Sequence, residues 1–148
     1  MVGANVGAGD FDRARRIAWT AALLAAGVTE AIGLLAAMFP HAWVGFFSSD
    51  PGVLAMGARY LRVVGPFYGF VGLGMLLYFA GQGAKRVAWP VLAGTARLII
   101  VGVGGWLAIA VYGGGVTTLF GVVAVSSLAF GSLIALALCL QPWRAVKK

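Results

Sequence analysis

The chain has 148 residues, of which 61% are hydrophobic and only 10% charged, and its mean hydropathy is +0.97. Soluble domains carry about 25% charged residues, so this composition excludes a water-coated soluble enzyme and a disordered regulator. Lys+Arg number 11 against 4 Asp+Glu, for a net charge of +7, but the charges are too scattered to form a phosphate-tracking stripe, which argues against nucleic acid as a partner.

In chain order, residues 1–16 hold Asp10, Asp12 and the arginines Arg13, Arg15 and Arg16. They lack an apolar core, so no secretory signal is expected there. Gly7-Ala8-Gly9-Asp10 predicts a turn, with Asp10 as N-cap of a helix that starts at Phe11. A helix that crosses the hydrocarbon core needs about 20 apolar residues. Ile17 to Phe39 meets that need with one charge, Glu30. Pro40 to Ser49 is expected to be an outer loop carrying His41, Trp43, Phe46 and Phe47. Asp50 followed by Pro51 predicts a cap and a helix restart, with Val53 to Arg62 at the membrane interface. Val63 to Gly83 is an uncharged apolar run, and Gly83 to Arg86 a polar turn. Val87 to Tyr112 is a further run with one charge, Arg97. Gly113-Gly114-Gly115 predicts a tight helical hairpin before the uncharged run Val116 to Leu140.

The runs are too long for buried strands and lack period-2 alternation. The expected fold is therefore an all-α membrane protein with four transmembrane helices in a single membrane domain. The predicted spans are residues 17–39, 60–83, 87–112 and 116–140. Residues 40–59 form an outer loop and interfacial helix, and 1–16 and 141–148 are cytoplasmic ends. Orientation follows from where the cations sit. Arg13, Arg15, Arg16, Lys85, Arg86, Arg144, Lys147 and Lys148 fall on one side, against Arg59 and Arg62 on the other. Both termini are thus expected in the cytoplasm.

No nucleophile–base pair, metal-ligand cluster or phosphate loop stands out, so neither enzyme activity nor a cofactor nor a metal is expected. His41 is the sole histidine, and Cys139 the sole cysteine, too few for an internal disulfide or a cysteine zinc site. The glycines Gly3, Gly7 and Gly9 lack the preceding strand that a dinucleotide site needs. The candidates lie in the membrane. A charge at the bilayer centre costs about 2.5–3.5 kcal/mol on insertion scales, so Glu30 and Arg97 each need a reason to be there. Glu30 lies about 20 Å along its helix and Arg97 about 15 Å along its own, which leaves their depths about 5 Å apart when counted from one face. Glu30 is either a proton- or cation-binding carboxylate or half of a structural ion pair, with Arg97 or Arg62 as partner. Its helical neighbours Ala26, Gly27, Gly33 and Ala37 are small. Gly65, Gly69 and Gly72 share one face beside Pro66, which allows close helix packing or marks a bending point. Gly102, Gly104 and Gly105 loosen the third span in the same way. Tyr68, Tyr78 and Gln82 are candidate cavity-lining residues, either as cation–π and hydrogen-bonding groups or as interhelical links. Ser126, Ser127 and Ser132 are expected to bond to backbone or to neighbouring helices.

The opening stretch, Val2-Gly3-Ala4-Asn5-Val6-Gly7-Ala8-Gly9-Asp10 through Arg13-Ala14-Arg15, resembles a hallmark loop of the multidrug and toxic compound extrusion (MATE) transporters. Phe47-Ser48-Ser49-Asp50-Pro51 with Arg59-Tyr60-Leu61-Arg62 resembles that family's outer link into a fourth helix. Gly81-Gln82-Gly83, Trp89-Pro90 and Ala96-Arg97-Leu98 are similar to its carboxy-terminal half. The resemblance implies a fragment: members have twelve helices in two pseudo-symmetric bundles, and this chain would supply the last four of the second. It implies export of cationic amphipathic compounds in exchange for protons or sodium, by alternating access. The implied partners are the remaining helices of the same transporter, the lipid bilayer and cationic small molecules. Some members carry coupling carboxylates on the first and fourth helices of the second bundle. The first is not in this chain and the fourth corresponds to Val63–Gly83, which has no acid, so those ligands do not carry over; if this region couples ions, Glu30 is its one intramembrane acid, on a different helix. Alternatives are a small four-helix multidrug-resistance exporter, a lipid-linked polysaccharide flippase, or a non-transporting membrane assembly subunit.

Overall fold

The computed structural model describes residues 1–84 and 88–140. The predicted turn residues Lys85 and Arg86, and the carboxy-terminal cations Arg144, Lys147 and Lys148, lie outside the described residues. The chain runs through a short helix α1 (Val2–Gly7), a long α2 (Phe11–Met38), a short α3 (Pro40–Gly45), α4 (Pro51–Val64), α5 (Tyr68–Gly83), α6 (Ala88–Trp106) and α7 (Val116–Leu140). No strand occurs among the described residues. Four helical stretches, Phe11–Met38, Pro51–Gly83, Ala88–Val111 and Val116–Leu140, are long and apolar enough to cross a membrane.

Two predicted caps set the helix starts. The Asp10 side chain accepts a hydrogen bond from the Arg13 N–H at 3.1 Å and opens α2. The Asp50 side chain accepts from the Val53 N–H at 2.9 Å, with Pro51 in the first turn of α4. An N-cap carboxylate satisfies one of the donors that a helix start leaves orphaned. Part of the expected outer loop is instead helical. Pro40 occupies the first turn of α3, where its missing N–H costs nothing and its fixed φ favours a helix. A single 3-10 turn, Gly65–Phe67, joins α4 to α5. Pro66 removes one backbone donor there, yet the rod continues from Pro51 to Gly83.

α5 is the centre of the bundle. It packs most extensively on α2, and then on α7, while α6 leans mainly on α7. The α2–α5 seam is where the aligned glycines are needed. A methyl group on Gly65 would come within 2.6 Å of the Gly33 carbonyl, and one on Gly72 within 3.0 Å of the Ala25 carbonyl. In lipid, where apolar side chains gain little by leaving the solvent, such backbone approach is a main source of helix association. On the opposite face of α5, Gly74 makes room for the Phe130 ring of α7. Close packing thus accounts for the glycines of this span. Those of α6 are mixed: a methyl group on Gly102 would have nothing within 4 Å and one on Gly105 only Leu119, at 3.7 Å, whereas one on Gly104 would meet Val122 at 3.2 Å. Ala22, Leu77, Ala93, Phe130, Ile134 and Leu138 form the core cluster, in which Leu77 and Ile134 are 0% exposed.

α1 tucks against the far end of α5, where a Cβ on Gly3 would meet the Gly83 carbonyl at 3.0 Å. The α2 start and the α5 end therefore share one end of the bundle. The turn around Gly113, with φ of 62°, lies at the other. This is the up-down-up-down arrangement that the four apolar runs predict.

Candidate functional site

Glu30 is half-buried on α2 and reaches across to α5. Its Oε2 accepts a hydrogen bond from the Gly69 N–H at 2.7 Å. Gly69 is the second residue of α5, just past the 3-10 turn. An N–H in a first turn has no partner within its own helix, and the positive end of a helix favours an anion. Glu30 therefore caps α5 from a different helix. The contact needs glycine at its far side, because a Cβ on residue 69 would sit 2.7 Å from the carboxylate oxygen.

Arg97 is half-buried on α6. Its guanidinium carbon lies 5.3 Å from the ring centroid of Phe130 on α7, within range of a cation–π contact. The structure does not bring Glu30 and Arg97 together: α2 packs mainly on α5, and α6 leans mainly on α7. The carboxylate engages the Gly69 backbone and the guanidinium engages a ring, and among the described residues no ion pair joins them.

Arg97 also lines a cavity of ≈ 390 Å³, within the range of about 300–1,000 Å³ typical of small-molecule sites. All four spans contribute to its wall: Thr29 from α2, Tyr60 from α4, Tyr68 and Met75 from α5, Arg97 from α6 and Ser127 from α7. The Thr29 hydroxyl donates to the Ala25 carbonyl at 2.8 Å, and the Ser127 hydroxyl to the Val123 carbonyl at 3.0 Å. Both hydroxyl protons are thus committed to backbone. Ser126 likewise donates to the Val123 carbonyl, at 2.7 Å.

Of the cavity-lining candidates from the sequence, Tyr68 is in this wall. Tyr78 packs instead against the core cluster and edge-on to Phe79, with 5.7 Å between centroids. Gln82 is exposed near the end of α5. His41 and Cys139 are exposed as well, and among the described residues no group of three His, Cys, Asp or Glu could hold a metal ion. Sequence reasoning missed Thr29, Tyr60, Ser127 and Phe130 as site residues. One signal was available for Tyr60: with Val64 and Tyr68 it recurs every four residues, which places all three on one face of the rod. Tyr60 also stacks edge-on against Phe120 of α7, with 5.2 Å between centroids.

Compared with models of protein families, residues 1–107 match the family described as MatE. Comparisons with curated proteins and with solved structures found no match.

Proposed function

Because the chain belongs to the MatE family, we propose that its spans form part of a secondary active antiporter that exports amphipathic compounds in exchange for protons or sodium by alternating access. The family is one of transporters rather than enzymes, and the chain is a multi-pass membrane protein of that type. Cationic compounds are the cargo class that the resemblance implies. The remaining helices of the transporter are its partners, and it sits in the cell membrane with both termini in the cytoplasm.

The observation that carries this reading is the Glu30 carboxylate on the Gly69 N–H, at the point where α5 restarts after the 3-10 turn. A hydrogen bond to a charged group contributes about 1.5–3 kcal/mol. A proton or sodium ion taken up by Glu30 neutralises the carboxylate and loosens its hold on α5. The rod then gains freedom at Gly65–Phe67, where Pro66 has already interrupted the hydrogen-bond ladder. Ion uptake and helix movement are thereby linked through one side chain.

The test is ethidium efflux by the complete polypeptide in vesicles, with pH and sodium gradients imposed separately. Glu30→Gln should abolish gradient-driven export while leaving the amount of protein in the membrane unchanged. Normal export by that variant would remove Glu30 from the mechanism.

A further inference from the structure

We infer that the cavity at Arg97 is a binding site for the anionic group of an amphipathic ligand: a sulfonate, carboxylate or phosphate attached to an apolar body. This rests on the transporter reading for its role, but it assigns to this cavity the charge class opposite to the one the resemblance implies.

Arg97 is the one ionisable cation in the wall, and no carboxylate lines it. The chain has 4 Asp+Glu in all, and each is placed elsewhere. Asp10 and Asp50 cap α2 and α4. Asp12 lies in the first turn of α2, at the bundle end. Glu30 is held by Gly69. The guanidinium thus has an aromatic neighbour and no counter-ion among the described residues. A cation at this depth without a counter-ion is costly, and a ligand anion lowers that cost.

The geometry suits the same ligand. A guanidinium set against a ring keeps its N–H donors along its edge, and that edge matches the two oxygens of a carboxylate, sulfonate or phosphate. Thr29 and Ser127 have no proton left to offer, so charge recognition falls to Arg97, with Tyr60 and Tyr68 also in the wall. The rest of the wall, including Val64, Val71, Met75, Leu76 and Val123, is apolar. That surface suits the body of an amphipath and offers nothing to a second charge. A cationic cargo at this position would meet repulsion from Arg97 and, among the described residues, no carboxylate in the wall.

A matched pair of probes tests the assignment: 1-naphthalenesulfonate and 1-naphthylmethylammonium, titrated calorimetrically into the complete polypeptide in phosphatidylcholine nanodiscs, with empty discs subtracted. The sulfonate should bind at least tenfold more tightly than the ammonium compound. Arg97→Gln should weaken sulfonate binding at least tenfold, and Arg97→Lys should restore most of it. Equal binding of the two probes, tighter binding of the ammonium compound, or unchanged sulfonate binding by Arg97→Gln would overturn the inference. If Arg97→Gln does not fold, Met75→Trp fills the cavity with Arg97 kept, and sulfonate binding that survives it overturns the inference equally. Discs that contain phosphatidylglycerol separate two sources of the anion. Competition by that lipid identifies a headgroup as the occupant, and its absence identifies a free compound. Binding needs no gradient, so sulfonate affinity is read on the protein with Glu30 intact, independently of whether Glu30→Gln abolishes export. A failure of ion coupling is thereby distinguished from a failure of this site.

Discussion

Gly33→Ala is the sharpest test of how α2 and α5 hold together. A methyl group at residue 33 would run into the Gly65 carbonyl oxygen and approach the Tyr68 Cβ to 2.9 Å. The first obstacle is backbone, which cannot swing aside as a flexible side chain would, so one helix must back away from the other. Overpacking of this kind costs about 1–3 kcal/mol. Alanine's better helix propensity returns about 1 kcal/mol, for a net loss of about 2 kcal/mol at the upper end. Gly27 lies on the same helix, where an added methyl group would have nothing within 4 Å, so Gly27→Ala should gain the same increment of about 1 kcal/mol without the clash. The two substitutions are chemically identical, and their stabilities should differ by about 3 kcal/mol at most, taking these two terms together. Proteins of roughly this size shift about 2–4 °C in Tm per kcal/mol, which makes the gap about 6–12 °C. Melting of the purified variants in one detergent, followed by fluorescence-detected size exclusion, measures it. Coincident melting curves would show that the glycine seam does not hold the pair.

Three further outcomes are expected. Glu30→Ala should melt below both wild type and Glu30→Gln, because it strands the Gly69 N–H while glutamine keeps an acceptor. The loss is about 1.5–3 kcal/mol, and a variant that melts with wild type would show the contact to be idle. Gly113→Ala should cost about 1–2 kcal/mol, because its φ of 62° is left-handed, whereas Gly115→Ala, with open space around it, should be nearly silent; equal effects would refute the distinction. In a Cys139→Ser background, an impermeant maleimide applied to whole cells should label Ser48→Cys and spare Ala8→Cys, and the reverse pattern would invert the assigned orientation.

Much of the architecture was legible because its causes are local. The spans announce themselves by length and apolarity. Asp10 and Asp50 announce two helix starts, since a short acid before a helical run has few other uses, and Gly65, Gly69 and Gly72 announce a face that needs close approach. What stayed hidden was lateral order. Periodicity fixes the depth of Glu30 and Arg97 but not which helices stand between them, so a pair at matching depth looks closer than it is. The acceptor–donor contact of Glu30 was invisible for a different reason: its partner is a backbone N–H on a residue with no side chain. Phe130 reads as one more apolar position in α7, and nothing but the fold places its ring under a cation.

The way α6 is moored bears on how the chain is made. This helix leans mainly on α7, and its cation rests on a ring that α7 supplies. During synthesis α6 leaves the ribosome first, with Arg97 bare. On its own it faces the full insertion cost of about 2.5–3.5 kcal/mol for a central arginine. α7 is the most hydrophobic of the four stretches, with a mean hydropathy of 2.3, and it arrives only after the Gly113 turn. The two helices are therefore best delivered to the bilayer as one hairpin.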